Sequence, residues 1–378
     1  MDSAPVTPPF VARPLRLAPF RAIRLVSSRI GDPMAGRLFA RPYRDLPDRL
    51  RSWEERGLLT HDPAPALYLH EYTVSGITVR GLVGAIDVSS RAVRPEDRAI
   101  MPHEGIYPAQ ADDLADRMAS MRINPAPILL VQDSPDELRS ILRNLRQGDP
   151  DLEIHDRTGQ YHRIWAITDH DLIERISTIT AATTALIADG HHRYAAYLRL
   201  QQREPGTAAD RGLAMIVDQG DTPLFLGAIH RVFTGTSVGD VEAAAAALGI
   251  HTERRTADDA LAALGPGTLV VTDSTTWLTI GLVAGGDRVE AEILHDQIVP
   301  GLGHGPARVT FHHSAQEALA LAAPETAVAV LMPAPTVEQV QQVVTAGRLF
   351  PEKATSFQPK PTFGAFIRSW NDEEAEPH

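Results

Sequence analysis

Apolar positions along the chain alternate between a period near two and a period near 3.6, which predicts strands interleaved with helices. Leu46, Leu50 and Trp53 fall at i, i+4 and i+7 and predict a helix over 46–57, closed at Gly57. Two β-rich runs, 66–72 and 77–86, flank Ser75-Gly76 and predict a hairpin. Leu114, Met118 and Met121 predict a helix over 111–123, ended by Asn124-Pro125 because a residue before proline disfavours the helical region. Ile128-Leu129-Leu130-Val131 reads as a buried strand. Ser134-Pro135-Asp136-Glu137 after it has the form of a helix start, with Ser as N-cap, Pro at N1 and Glu at N3. A second hairpin is expected over 154–167, turning near Thr158-Gly159, then a helix over 172–179.

A strand over 184–188 and a helix over 194–202, with Tyr194, Tyr197, Leu198 and Gln201 on its inner face, follow. Further strands are expected at 212–218 and 224–232. From about Asp240 the texture changes to alanine-rich helices (241–248, 257–264) and β-branched strands (268–273, 277–283, 308–312, 326–332), with capping boxes at Ser314 to Glu317 and Thr336 to Gln339. This predicts a flexible arm at 1–13, a main domain over 14–239, a smaller α/β lobe over 240–347 and a tail over 348–378 whose acidic end, 371–378, frays. The class is mixed α/β and α+β.

The 378 residues, 43% hydrophobic and 22% charged, suit a globular protein of two or three domains. No apolar run approaches the roughly 20 residues of a membrane span, and no signal-peptide core follows the start, so a cytoplasmic protein without a membrane partner is expected. A net charge of -12 argues against a protein that coats nucleic acid through bulk charge. With no cysteine there is no disulfide, thiolate metal site or thiol nucleophile.

The densest chemistry lies in Asp189-Gly190-His191-His192-Arg193, between an apolar strand and an amphipathic helix. Orphan N–H groups and the dipole at a helix N-terminus favour an anion. Arg193 adds a guanidinium that grips phosphate bidentately, His191 and His192 add further donors, and Asp189 can orient a histidine or hold Mg²⁺. Two other readings remain: Asp189 as a plain cap beside surface histidines, and a zinc site completed by His103 and His230. Elsewhere, Glu104, beside His103 in a Pro/Gly-marked loop, can act as a general base toward a hydroxyl or stand as a solvated charge. Asp133 ends a buried strand, His230-Arg231 sits in another, and Lys353 and Lys360 lie in the tail within possible reach of a phosphate.

Ala188-Asp189-Gly190-His191-His192-Arg193-Tyr194 resembles the signature of the bacterial and archaeal family catalogued as domain-of-unknown-function family 1015. Pro19-Phe20-Arg21, Gly81-Leu82-Val83-Gly84, Pro102-His103-Glu104, Asn124-Pro125-Ala126-Pro127-Ile128, His230-Arg231-Val232 and Pro351-Glu352-Lys353 through Pro359-Lys360 match in family order. The family's Pro-Pro-Tyr-Asp segment is altered here to Ala40-Arg41-Pro42-Tyr43-Arg44-Asp45, and its Ser-Thr-Tyr-Phe-Tyr tail to Ala354-Thr355-Ser356-Phe357-Gln358. The D-G-H-x-R core also resembles the phosphate box of the ParB/sulfiredoxin-like fold, which includes CTP-binding ParB proteins, ATP-using sulfiredoxin and kinases of free serine. Sulfiredoxin chemistry needs a cysteine that this chain lacks.

The resemblance implies a ParB/sulfiredoxin-like N-terminal region with a mixed sheet. It implies a phosphotransferase using ATP or ADP and Mg²⁺ on a small hydroxylated metabolite, free L-serine first. In that reading Glu104, His103 and Asp189 are catalytic, and Gly190, His191, His192, Arg193, His230, Arg231 and Lys353 bind the nucleotide, with Mg²⁺ on Asp189. A non-catalytic nucleotide-binding regulator and a metal-dependent hydrolase are the alternatives, and a homodimer is compatible with each.

Overall fold

The computed structural model describes residues 6–33, 46–282, 288–351 and 353–374. The altered Pro-Pro-Tyr-Asp segment falls wholly outside these residues, as do 1–5, Glu352 and 375–378, and the side chains of Leu46 and Leu50 are likewise outside the description. Two compact units emerge. The first comprises Met1–Pro102, Ile106–Leu224 and Pro359–His378, and the second His103–Gly105 and Phe225–Gln358.

The first unit is built on a ten-stranded mixed sheet. Its order runs Val11–Ala12, Arg98–Met101, Ala185–Asp189, Ile128–Gln132, Arg211–Asp218, Ile77–Asp87, Leu67–Val74, Tyr161–Ile167, Leu152–His155, with Leu17–Ala18 also pairing to Ile77–Asp87. Ala185–Asp189 runs parallel to Arg98–Met101 and antiparallel to Ile128–Gln132, and Arg211–Asp218 runs parallel to Ile128–Gln132. The near-continuous apolar runs of these central strands fit burial on both faces. Both expected hairpins form. A four-stranded sheet of Leu59–His61, Ala22–Leu25, Ile367–Ser369 and Ile123–Asn124 completes the unit.

Several element boundaries differ from the sequence pattern for local reasons. The helix Pro108–Met121 starts earlier than its apolar stripe, with Pro108 at N1, and stops at Arg122 in the left-handed region (φ 53°), so that Ile123–Asn124 turns into a strand. Pro135, rather than Ser134, is the N-cap of Asp136–Leu145; the Ser134 N–H instead donates to Asp218. Residues 6–13 are not a loose arm. Val6 bridges Ile106, Val11–Ala12 joins the large sheet, and the Tyr194 hydroxyl donates to the Pro9 carbonyl (2.8 Å) and accepts from the Val11 N–H (3.0 Å). The tail contributes two strands, Ser356–Gln358 and Ile367–Ser369, and Asn371–Glu374 is a short helix.

The second unit carries a six-stranded antiparallel sheet ordered His251–Arg255, Trp277–Gly281, Thr268–Thr272, Ala327–Leu331, His230–Thr234, Arg308–His312. It begins before Asp240 because the run expected as one strand over 224–232 splits. Phe225–Gly227 pairs with Ser356–Gln358, while His230–Thr234 pairs into the six-stranded sheet. Ser237, Thr256, Ser314 and Thr336 cap the helices that follow them, and the Thr336 box is complete with Gln339. Among the described residues no helix is long and apolar enough to cross a membrane.

Candidate functional site

In the first unit, the strand Ala185–Asp189 carries a register shift against Ile128–Gln132 between Ile187 and Asp189. Such a bulge re-aims the side chain at the strand end. Gly190 follows at φ +94°, where any side chain is strained, and a Cβ there would lie 3.0 Å from the Arg193 guanidinium and from Ile128 Cγ2. Gly190 is the N-cap of the helix His191–Arg203, which therefore starts three residues before its apolar stripe and has no side-chain cap. The first N–H groups of this helix have no acceptor within the helix itself. Tyr194 and Tyr197, both buried, anchor it to the sheet.

The charged groups are closely knit. Arg193 donates through Nη1 to the Pro127 carbonyl (2.7 Å) and through Nη2 to Asp189 Oδ2 (2.6 Å). Lys360 Nζ pairs with Asp189 Oδ1. Two cations thus surround one carboxylate, leaving a net positive charge at a helix N-terminus with side chains about a quarter to two-fifths exposed. Beneath it, the Tyr72 hydroxyl donates to the Pro359 carbonyl (2.7 Å), and its acidity is suppressed by burial and then by the Asp189 charge.

A second helix reinforces the corner. His192 Nε2 accepts from the Tyr107 N–H (3.1 Å), and the two rings stack at 6.2 Å. Tyr107 is itself the N-cap of Pro108–Met121. Arg199 pairs with Asp112, and Arg203 with Asp116, so the two helices run side by side in the same direction. Both positive dipole ends therefore meet at the corner. His191 is buried (7% exposed) at the first helical position. The 124–128 segment supports all of this: Pro127 holds Arg193, the Ala126 carbonyl accepts from the Tyr197 hydroxyl (3.3 Å), and Asn124 accepts from Arg368 (2.6 Å).

The second unit holds the other candidates. Glu104 forms a parallel bridge with Phe350, and the Phe350 N–H donates to the His103 carbonyl (2.8 Å). The Thr355 hydroxyl donates to Glu104 Oε1 (2.7 Å), its N–H reaches the same oxygen at 3.3 Å, and its Oγ1 lies 2.6 Å from His103 Nε2. His103 is fully buried (0% exposed), edge-on to the rings of Phe350 and Phe357, whereas Glu104 is half-buried. Arg231 is also buried, at 1% exposure. It donates to the carbonyls of Ile229 and Lys353 and, through Nε, to His295 Nε2 (3.2 Å). Burial pushes Arg231 down to about 10, with the Glu104 charge acting in the opposite sense. His230 Nδ1 accepts from the Met332 N–H, and burial first, then Arg231, pushes its imidazole down to about 4.

The expected set therefore divides. Asp189, Gly190, His191, His192 and Arg193 form one corner; His103 and Glu104 form a second cluster with Thr355. Arg231 spends its donors on backbone and His295, so its geometry holds the Lys353 loop rather than presenting a guanidinium, and His230 caps a strand end. Asp133 is a solvated partner of Arg139, 87% exposed. Sequence reasoning missed Tyr107, Tyr72, Thr355 and His295. Only Thr355 left a trace, inside the altered tail. Among the described residues no group of three or more His, Asp or Glu side chains could hold a metal ion.

The profile of a family described as "Protein of unknown function (DUF1015)" matches residues 14–327. No curated protein matches the chain significantly. Among solved structures, it is similar to C-terminally truncated SbnI from Staphylococcus aureus at 12% identity and TM-score 0.44, covering 76% of this chain and 87% of that one. It is similar to a free serine kinase in complex with AMP at 18% identity and TM-score 0.41, covering 73% and 90%. A conserved hypothetical protein from Pyrococcus furiosus gives 18% identity and TM-score 0.38, covering 72% and 93%. Superpositions this loose leave the function to be argued from the residues.

Proposed function

The chain belongs to the DUF1015 family, and from the corner at Asp189 to Arg193 we propose that it is a nucleotide-dependent phosphotransferase acting on a small hydroxylated metabolite. The observation that carries the reading is the pairing of Arg193 and Lys360 around Asp189 where two helix N-termini meet. Helix N–H groups, a guanidinium and an ammonium together suit a polyphosphate. The D-G-H-x-R resemblance to the phosphate box of ParB/sulfiredoxin-like proteins supports the same use. In this reading Gly190, His191, His192 and Arg193 hold the phosphates of ATP or ADP. His230, Arg231 and Lys353 act at one remove, by keeping their loops in place.

Among the described residues Asp189 is the carboxylate paired with Arg193 and Lys360, and it would be the protein's ligand to an Mg²⁺ arriving on the nucleotide. Such an ion, when bound, would neutralise phosphate charge during transfer. The second unit carries the candidate base, Glu104, for the proton of the acceptor hydroxyl, whose oxygen becomes bonded to phosphorus as the nucleotide's terminal P–O bond breaks. L-Serine is the first acceptor to try, as the kinase branch of the resemblance suggests.

Incubation with ATP or ADP, Mg²⁺ and L-serine is expected to yield phosphoserine. Absence of product across a panel of hydroxy amino acids, with nucleotide binding intact by calorimetry, would replace the transferase with a non-catalytic nucleotide-binding regulator. Arg193→Ala is expected to weaken nucleotide binding roughly 10- to 100-fold, the range for losing a charged hydrogen-bond pair. Glu104→Gln is expected to leave that affinity within about twofold while lowering turnover by about 10²-fold or more. Turnover unchanged in Glu104→Gln would remove Glu104 from the chemistry.

A further inference from the structure

We infer that Thr355 is a positioning residue that sets the orientation and the acidity of Glu104, with His103 acting through it. Three observations within the second unit converge. Thr355 reaches a single carboxylate oxygen, Glu104 Oε1, by both its hydroxyl (2.7 Å) and its backbone N–H (3.3 Å). Its hydroxyl has one hydrogen. With that hydrogen given to the ionised Glu104, the contact at 2.6 Å from His103 Nε2 is a bond in which the imidazole donates to Oγ1. This assigns the Nε2–H tautomer to His103 from the network.

The chain His103 → Thr355 → Glu104 is thus directional. A buried imidazole fixes the hydroxyl, and the hydroxyl fixes the carboxylate.

The backbone is arranged to keep that chain short. Residues 103–105 join the second unit although 351–358 lie some 250 positions away; the bridge of Glu104 to Phe350 and the Phe350 N–H bond to the His103 carbonyl bring them together. Lys353 is held at φ 55°, in the left-handed region, and its carbonyl accepts from the buried Arg231, which anchors the turn just ahead of Thr355. His103 is wholly buried and packed against Phe350 and Phe357, and it bears on Glu104 through Thr355. Glu104, half-buried, is the member of the chain that can meet one. The charged and titratable groups bearing on Glu104 include His103 and the Arg231 guanidinium. A hydroxyl donor on a carboxylate favours its ionised form.

The use of Glu104 in phosphoryl transfer rests on the function proposed above, but the hold of Thr355 on Glu104 does not, and the test separates them. The Glu104 carboxyl is followed by carbon NMR in glutamate-labelled protein, its resonance assigned by its loss in Glu104→Gln. Thr355→Val removes the hydroxyl at nearly constant shape and is expected to raise the carboxyl's midpoint by about one to two pH units. Thr355→Ser restores the donor and is expected to titrate within a few tenths of the parent. Thr355→Ala substitutes should valine disturb the fold. In turnover assays Thr355→Val is expected to lower kcat about tenfold with KM for nucleotide unchanged, and to move the acid limb of the pH profile upward with the carboxyl. An unshifted Glu104 midpoint in both Thr355→Val and Thr355→Ala overturns the inference, whatever the activity. A shifted midpoint in a parent protein that transfers no phosphate leaves Thr355 in place and overturns the phosphotransferase instead.

Discussion

Gly212→Ala is expected to lower the unfolding free energy of the first unit by about 3–5 kcal/mol and to weaken nucleotide binding with it. Gly212 lies in the central strand Arg211–Asp218, and a Cβ there would sit 2.2 Å from Tyr197 Cδ2, 2.5 Å from Cε2 and 2.8 Å from Cγ. The ring cannot step aside at low cost. Tyr197 is 1% exposed, and its hydroxyl is held by the carbonyls of Leu213 (3.2 Å) and Ala126 (3.3 Å). Making room means lifting the helix His191–Arg203 from the sheet, and that helix carries Arg193 and the N-terminus proposed to bind phosphate. Gly76→Ala separates this clash from the general effect of losing a glycine. Gly76 sits at φ +80°, and a Cβ there would meet nothing within 4 Å, so only the left-handed backbone is strained, at about 1–2 kcal/mol. Denaturant midpoints of the two variants are the measurement. Equal midpoints would mean that Tyr197 has space the packing does not suggest.

The same region shows why parts of the site are legible in sequence and others are not. Asp189 to Arg193 stands out because a glycine, two imidazoles and a guanidinium interrupt an otherwise apolar strand-to-helix passage. The sequence pattern starts the helix at Tyr194 because hydrophobic periodicity begins only there; His191 and His192 are polar, and their place in the first turn depends on the bulge before Asp189 and the left-handed Gly190. The hairpin of Leu67–Val74 with Ile77–Asp87 is legible because Ser75 and Gly76, which both take positive φ in its turn, sit between two β-rich runs. The strand His251–Arg255 escapes the pattern: it is a mostly exposed, charged edge strand with no apolar face to announce it.

Partnerships across the sequence are the least legible. Nothing local to Thr355 indicates that it meets Glu104 at a separation of 251 residues, or that Tyr107 donates its N–H to His192. Arg231 and Lys353 resemble phosphate ligands by charge. Their three-dimensional relation is a guanidinium bonded to a backbone carbonyl, which no residue-type pattern distinguishes from a ligand pair. Side-chain chemistry can therefore be named in advance, while the division between groups that present charge and groups that spend it on backbone requires coordinates.

Acidification from pH 7 to 5 is expected to destabilise both units through their buried histidines. His70 Nε2 lies 3.0 Å from His162 Nδ1, and His162 Nε2 lies 3.1 Å from Asp156 Oδ2. Both rings are buried, and burial holds both imidazoles below the ordinary value of 6.5; the neighbouring His162 and then Arg24 depress His70 further, while Asp156 partly offsets the shift at His162. In the second unit His230 and His295 are pushed down to about 4, by burial first and then by Arg231. A histidine whose folded value lies below its unfolded one takes up its proton more readily when unfolded. Its contribution is complete above about pH 6.5 and is lost as the pH falls toward the folded value. At pH 5 His230 and His295 have each withdrawn up to about 2 kcal/mol, at 1.36 kcal/mol per pH unit. Glu71, Asp156 and Asp218 are held below the ordinary carboxylate range through their hydrogen-bond and charged partners, which outweigh the upward push of burial; their contributions fall away only below about pH 4.5 and do not confuse the window. Thermal unfolding measured from pH 7.5 to 5 reads the effect. His230→Asn keeps an acceptor for the Met332 N–H but removes the titration, so its profile is expected to be flatter than the parent's. A profile parallel to the parent's would show that His230 is already solvated and charged in the fold, and the sign of the pH dependence would then have to come from His295 and the His70–His162 pair.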